Sequence, residues 1–274
     1  MVIRRLLALL RPPNGGVSRR AAAPRLKLDR QPDRIYAIGD VHGCLDLLKC
    51  IEAQIVADAE GASGDKVIVM LGDLVDRGPS SAQVIDHMLS QAPAGFERIC
   101  LRGNHEEMML AFIRDPGRGS VWLDNGGREA LLSYGVPSDT LLRGDAPRVL
   151  EDFIASQIPT EHVEFLEALP VLLDTPGALF VHAGLRAGVK LEAQADDDLM
   201  WLRDNYESDY SEFGRLVVHG HMPRTEALAT PFRLAIDTGV FVNGRLTAAR
   251  IVPGALPVLF EARTEILGRH GGRD

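Results

Sequence analysis

A chain of 274 residues has room for one large domain or two small ones. With 46% hydrophobic and 25% charged residues, it has the composition of an ordinary soluble globular protein. The net charge of −8 argues against a general nucleic-acid binder, so no nucleic-acid partner is expected, although a local basic pocket is still allowed.

The three cysteines, Cys44, Cys50 and Cys100, are odd in number and form no C-x-x-C pair. That pattern argues against a disulfide framework or a thiolate zinc site, and it points to a reducing, cytoplasmic compartment. Residues 1–30 carry Arg4, Arg5, Arg11, Arg19, Arg20, Arg25, Lys27 and Arg30 against a single acid, Asp29. Pro12-Pro13 and Gly15-Gly16 would break a helix there. A disordered basic arm is expected, able at most to touch an anionic membrane face or partner weakly. No window reaches the ~18 uninterrupted apolar residues of a transmembrane helix.

After the arm, 34–38 reads as a buried strand ending at Gly39-Asp40. Apolar residues recur at helical spacing over 44–59, and 66–71 is an apolar strand ending at Gly72-Asp73. Residues 80–91 read as a helix with Pro79 suited to its first turn, 96–101 as a third strand, and 105–114 as a helix closed by Asp115-Pro116-Gly117. Such β-α-β-α-β-α alternation implies a parallel sheet with right-handed crossovers, whose ligands sit beyond the carboxyl ends of the strands.

Residues 120–170 read as mainly helical, with Gly126-Gly127 interrupting, Trp122 and Tyr134 packed in the core, and 165–169 belonging to another helix stopped by Pro170. From Val171 onward, short β-like runs at 171–173, 178–181, 216–218, 233–236, 245–251 and 258–262 alternate with Gly, Pro and Asp-Thr-Gly turns. They read as a second, mixed or antiparallel sheet. The expected whole is an α/β two-sheet sandwich flanked by helices, in one domain over 31–264, followed by a polar tail at 265–274.

Chemistry-bearing residues gather in short glycine-flanked strings at the ends of these runs. They are Asp40 and His42 in GDVHG, Asp73 with Asp76 and Arg77 in GDLVDRG, and Arg102, Asn104 and His105 in RGNHE. His182 follows in HAG, and His219 and His221 in HGHMP. The first three strings recur at nearly equal intervals of roughly one strand–helix–strand unit, about 30 residues, so each is expected at the same sheet edge. A lone Asp-x-His in a glycine turn is ordinarily a solvated loop, but the joint pattern is not. The two carboxylates of Asp40 and Asp73, the three imidazoles of His42, His182 and His221, and the Asn104 amide oxygen suit divalent ions such as Mn²⁺, Fe²⁺ or Zn²⁺. Asp73, on the central strand, could bridge two ions with its two oxygens. Two ions so held would clamp an oxyanion and lower the pKa of water from 15.7 to about 7. Arg77 and Arg102 offer forked donors to phosphate. His105 could protonate a leaving alkoxide, with Asp76 holding its imidazole.

These strings resemble the motifs of the calcineurin-like metallophosphoesterases. Within them they are similar to the phosphoprotein phosphatase branch, especially the small bacterial and lambda-phage-type serine/threonine phosphatases, over about residues 35–247. The resemblance implies a four-layer αββα fold and two divalent metal ions, manganese first and iron or zinc as alternatives. It also implies direct attack on phosphorus by a hydroxide bridging the metals. Asp40 and His42 would hold the first metal, Asp73 would bridge, and Asn104, His182 and His221 would hold the second. Arg77 and Arg102 would bind phosphate, and His105 with Asp76 would form the acid pair. Trp201-Leu202-Arg203 looks like the family's later W-x-R, which makes Arg203 a third phosphate clamp. The family's Gly-His pattern selects His221 and leaves His219 a supporting role. Met222 stands where small bacterial members carry Thr, at a position that is not a ligand.

The implied function is hydrolysis of phosphate monoesters, with phosphoserine and phosphothreonine in proteins as substrates. The alternative is symmetrical cleavage of dinucleoside polyphosphates such as diadenosine tetraphosphate. Those relatives tend to carry Ala at the place of Asp76 and Asp at the place of Glu106. His87, His162 and His270 lack any such setting and read as surface or core residues.

Overall fold

The computed structural model describes residues 23–115, 120–136, 153, 156–203 and 208–264. Three apolar runs become parallel strands in matched register: β2 (Arg34–Ile38), β3 (Lys66–Met70) and β4 (Phe96–Cys100), with Ala37 opposite Val69 and Val69 opposite Ile99. They read as continuous apolar runs, not alternating ones, because both faces are covered. Ile35, Ala37, Val67, Val69, Leu71, Ile99 and Leu101 point into the interior between two sheets. Tyr36, Ile38, Ile68, Met70 and Cys100 point the other way, onto helices.

Those helices are α1 (Leu45–Asp58), α2 (Ser81–Leu89) and α3 (Asn104–Arg114). In α1 the buried Leu47, Leu48, Ile51 and Ile55 form one apolar stripe toward the sheet. Helix α2 begins two residues after Pro79, because the Ser81 hydroxyl accepts the Asp76 backbone N–H at 2.9 Å and draws that turn against the helix start.

A short helix α4 (Ser120–Trp122) leads through a π-helical stretch, Leu123–Gly127, into α5 (Arg128–Ser133). The interruption expected at Gly126-Gly127 is present: Gly126 has φ 103°. Helix α6 (Thr160–Ala168) contains the run from Phe165 and stops just before Leu169-Pro170.

The second sheet holds β1 (Arg25–Lys27), β5 (Leu172–Asp174), β6 (Ala178–Val181), β7 (Leu216–His219), β8 (Leu228–Ala229) and β9 (Arg233–Ala235), in the order β1-β5-β6-β7-β9-β8. Leu173, Phe180, Val218 and Leu234 meet the first sheet across the sandwich. Its outer face is covered by α7 (Asp196–Trp201) and short turns, through Leu185, Leu199, Met200 and Tyr210. The α/β two-sheet sandwich with flanking helices is thus present, and its second outer layer is thin.

Two expectations on sheet membership are corrected. The runs β10 (Arg245–Ile251) and β11 (Val258–Arg263) do not join the second sheet. They extend the first in the order β11-β10-β2-β3-β4, where β10 lies antiparallel to β2 with Ala249 opposite Ala37. Leu246 and Ala248 thereby face the helices while Ala249 and Ile251 face the sandwich. The end of the basic arm is a strand: Arg25–Lys27 pairs in parallel with Leu172–Asp174, Leu26 is buried, and the Arg25 guanidinium reaches Asp196 at 2.7 Å. Residues 1–22 and the tail from 265, including His270, lie outside the described residues.

Strands β6, β7 and β9 run parallel to one another. Their carboxyl ends, followed by His182, Gly220-His221 and Asp237, meet those of β2, β3 and β4 at one rim.

Candidate metal centre

Backbone hydrogen bonds stitch the strings together before any side chain acts. Val41 and His42 N–H both donate to Asp73 C=O, at 3.0 and 2.8 Å, and Gly220 N–H donates to His182 C=O at 2.8 Å. The residue types follow from the closeness of these loops. A Cβ on Gly220 would overlap Asp40 Oδ1, and one on Gly103 would overlap Asp73 Oδ1. The turns are strained as well. Of the six non-glycine residues with positive φ among the described residues, five are His42, Asp73, Asp76, Arg77 and His221. Such conformations cost about 1–3 kcal/mol each and persist where the surrounding structure over-determines them. Here the buried sandwich, where each large apolar side chain contributes about 1.5–3 kcal/mol, offsets that cost.

Asp73 is the centre of the arrangement. Its Oδ2 lies 3.6 Å from His42 Nε2 and 3.9 Å from His105 Nε2, while Oδ1 lies 3.3 Å from His182 Nε2. The two oxygens thus face two donor groups, His42 with His105 and His182 with His221. Asn104 Oδ1 joins the second, 2.9 Å from both His182 Nε2 and His221 Nδ1, which are 3.2 Å apart. Asp40 lies at the same rim and accepts the His221 N–H, at 3.2 Å on Oδ1 and 3.1 Å on Oδ2, but its oxygens fall outside both triads. His105 is the third member of the first triad, so the acid candidate lies within the first donor group.

The imidazoles are held as ligands need to be. His42 Nδ1–H donates to Val75 C=O at 3.0 Å and His182 Nδ1–H donates to Leu71 C=O at 2.9 Å, so in each ring Nε2 is the atom turned toward the centre. Burial pushes the pKa of His42 and of His221 down to about 3, so both are neutral donors. The Nε2 of His42 accepts from the Arg77 guanidinium at 2.8 Å.

Three buried carboxylates, Asp40, Asp73 and Asp237, gather here, and among the described residues none forms an ion pair with Lys or Arg. Among the described residues the ion-pair partners of Asp73 are imidazoles alone, and a buried carboxylate that lacks a cation costs several kcal/mol. Burial and the neighbouring Asp237 push the Asp40 carboxyl well above its ordinary range. Burial would lower His182, but the charges of Asp73, Asp40 and Glu106 overcome it and raise the imidazole to about 10. A cluster of converging lone pairs and anions that calls this strongly for positive charge fits divalent cations.

The expected acid pair is in contact. His105 Nδ1 lies 2.6 Å from Asp76 Oδ2, and both groups are buried. Burial would lower the pKa of His105, yet Asp73 and Asp76 outweigh it and raise it. Burial likewise raises Asp76, to about 6, against the hydrogen bonds from His105 and Trp122.

The arginines differ in setting. Arg77 stacks its guanidinium 4.3 Å above the ring of the exposed Phe241, on the short helix α8 (Val240–Asn243), beside His42. Arg102 is buried, its guanidinium 3.2 Å from Glu107 and donating to Glu167 C=O at 2.6 Å. Arg203 is exposed at the end of α7, with its charge felt at His221. His219 supports the turn: its Nδ1–H donates to Gly220 C=O and its Nε2 accepts from the buried Arg233 at 3.0 Å. His87 pairs with Glu52 and His162 with Tyr134 and Asp86, as befits structural histidines.

Three residues at the site hold positions that were not read from the sequence. Glu106 is fully buried and accepts the backbone N–H groups of Asp73, Leu74 and Gly103. Asp237 belongs to an Asp-Thr-Gly string read only as a turn, although it follows an apolar run as the other strings do. Trp122, read as core packing, also donates a hydrogen bond to Asp76.

Comparison with known proteins identifies the family. A family model for calcineurin-like phosphoesterases matches residues 33–241. The bis(5′-nucleosyl)-tetraphosphatase PrpE (asymmetrical) of Anoxybacillus flavithermus is 25% identical over 252 residues, covering 82% of this chain and 96% of its own. The symmetrical bis(5′-nucleosyl)-tetraphosphatase of Serratia proteamaculans is 43% identical over 76 residues, 28% of this chain and 24% of its own. A crystal structure named for a candidate diadenosine tetraphosphatase superposes with a TM-score of 0.59 at 21% identity, over 87% of this chain and 98% of that one, a likeness of fold. The chain belongs to the calcineurin-like phosphoesterase family.

Proposed function

We propose that the protein hydrolyses phosphate esters at a dinuclear metal centre, with phosphomonoesters of alcohols, such as phosphoserine and phosphothreonine, as its first substrates. The supporting observation is Asp73, whose two oxygens face separate donor groups. Asp40, His42 and Asp73 would hold one divalent ion, and Asp73, Asn104, His182 and His221 the other. When bound, the ions would supply Lewis-acid charge and a water acidified to near neutral pH. The chain's own residues do the rest. Arg77 offers a forked donor to phosphoryl oxygens at the rim, and Arg203, exposed beside His221, a second. Arg102 could join them only by turning from Glu107 and Glu167. His105, raised in pKa and fixed by Asp76, holds a proton at Nε2 for the departing oxygen.

That acid favours an alcohol as leaving group. An alkoxide departs poorly without a proton, whereas the phosphate of a nucleotide needs little help. The second reading, cleavage of dinucleoside polyphosphates, is supported by the tetraphosphatase relatives that match over nearly their whole length. One assay panel with Mn²⁺ separates the two, using a phosphothreonine peptide, a phosphotyrosine peptide, an aryl phosphate and diadenosine tetraphosphate. The highest kcat/KM on the phosphothreonine peptide supports the first reading. A preference for diadenosine tetraphosphate by tenfold or more would replace it with the second.

A further inference from the structure

Trp122 is buried at the end of α4, with its ring 4.7 Å from that of Phe112. An indole in a core needs an acceptor for its N–H. The acceptor here is Asp76 Oδ2, at 2.8 Å. It is the same oxygen that meets His105 Nδ1 at 2.6 Å, whereas Asp76 Oδ1 has no hydrogen-bond partner among the described residues. The carboxylate is therefore oriented through one atom by two donors, one of which is the residue it must hold.

The segment behind Trp122 is shaped to the same turn. Gly126 leaves the helix at φ 103° and its C=O accepts the Arg77 N–H at 3.1 Å. A Cβ on Gly126 would stand 2.6 Å from Arg77, and one on Gly127 would stand 2.5 Å from the indole ring. One short stretch thus fixes Asp76 by a side chain and Arg77 by its backbone, both in strained positive-φ conformations.

We propose that Trp122 is a positioning residue for leaving-group protonation: its indole N–H fixes the Asp76 carboxylate, which holds His105 with Nε2 directed into the metal site. The inference rests on His105 being the general acid. Without the indole donor, Asp76 keeps one hydrogen bond and is free to swing, and His105 turns with it. Small misplacements of a reacting group have large effects on rate.

The test is Trp122→Phe in the Mn²⁺-loaded enzyme, assayed on an alkyl phosphate and on 4-nitrophenyl phosphate. We expect kcat to fall about tenfold on the alkyl ester, the effect of losing one hydrogen bond to a charged group, and by less than about twofold on the aryl ester, with KM unchanged. Equal losses on both, or none, would overturn the proposal. His105→Asn is assayed in parallel and should show the same bias more strongly. Bias there without bias in Trp122→Phe rejects the role of Trp122 alone. Absence of bias in His105→Asn removes the acid reading and this inference with it. A readout apart from turnover is the Trp122 indole proton by NMR. It should exchange slowly and shift on Asp76→Asn, and an indifferent resonance contradicts the hydrogen bond. If Trp122→Phe does not fold, β-(3-benzothienyl)alanine at position 122 keeps the ring shape without the donor and gives the same comparison.

Discussion

Glu106 holds the backbone of Asp73: its carboxylate accepts the Asp73 N–H at 2.9 Å, and the other oxygen takes Leu74 N–H at 2.7 Å. It also reaches back to Gly103 N–H at 2.7 Å, so one buried side chain binds the second and third strings together. Burial and the Asp73 charge push its carboxyl up to about 7 against those hydrogen bonds. Glu106→Ala strands several buried N–H groups at about 1–3 kcal/mol each, so denaturant unfolding should show a loss above about 3 kcal/mol. Glu106→Gln keeps one acceptor and should lose less. Equal stability of Glu106→Ala and wild type would show that the loops are held by something else.

Gly220 tests how tightly the two sheets meet. Alanine there would drive its Cβ onto Asp40 Oδ1. Gly220→Ala should displace both Asp40 and His221, lowering bound metal by at least about tenfold in affinity. The global fold should persist, because the clash is confined to the rim. Titration calorimetry with Mn²⁺ and a circular dichroism melt read the two effects separately.

Arg77 is stacked on Phe241 and hydrogen-bonded to His42, so its charge and its planar shape are both in use. Arg77→Lys retains charge but loses the fork and the stack. We expect kcat/KM on any phosphoester to fall about ten- to hundredfold, and competitive inhibition by inorganic phosphate to weaken in parallel. Unchanged phosphate inhibition would place the phosphate site elsewhere.

Away from the metals, Glu52 forms a half-hidden ion cluster with His87 at 2.5 Å and Arg98 at 2.9 Å. Burial would raise its carboxyl, but the hydrogen bond from His87 and the Arg98 charge outweigh burial and hold it below its ordinary range. A pKa depressed on folding contributes stability that is present above the unfolded-state pKa and is lost as pH falls through the folded one. Glu52→Gln should therefore cost roughly 3 kcal/mol above about pH 5, with the gap to wild type closing as the solution becomes more acidic. A gap that does not narrow would show that Glu52 stabilises by shape and not by charge.

The sequence made the centre legible because each candidate ligand lies at or near the end of an apolar run, most of them beside a glycine, and close approach demands the glycine at Gly103 and Gly220. What it hid was long-range. Nothing local tells Arg245–Ile251 that its partner is β2 and not a strand of the second sheet, because an apolar run buried on both sides suits either. Arg25–Lys27 hid among basic residues, since in so short an edge strand only Leu26 is buried. Asp237 and Trp122 escaped for a related reason. A turn aspartate and a core indole look the same in sequence whether or not the fold carries them to the site.

The central claim is that Asp73 is shared by two cations. Anomalous diffraction from crystals soaked in Mn²⁺ tests it most directly. Two peaks are expected roughly 3.5–4 Å apart, one against each oxygen of Asp73, the first beside Asp40 and His42 and the second beside Asn104, His182 and His221. A single peak, or peaks away from Asp73, would contradict it.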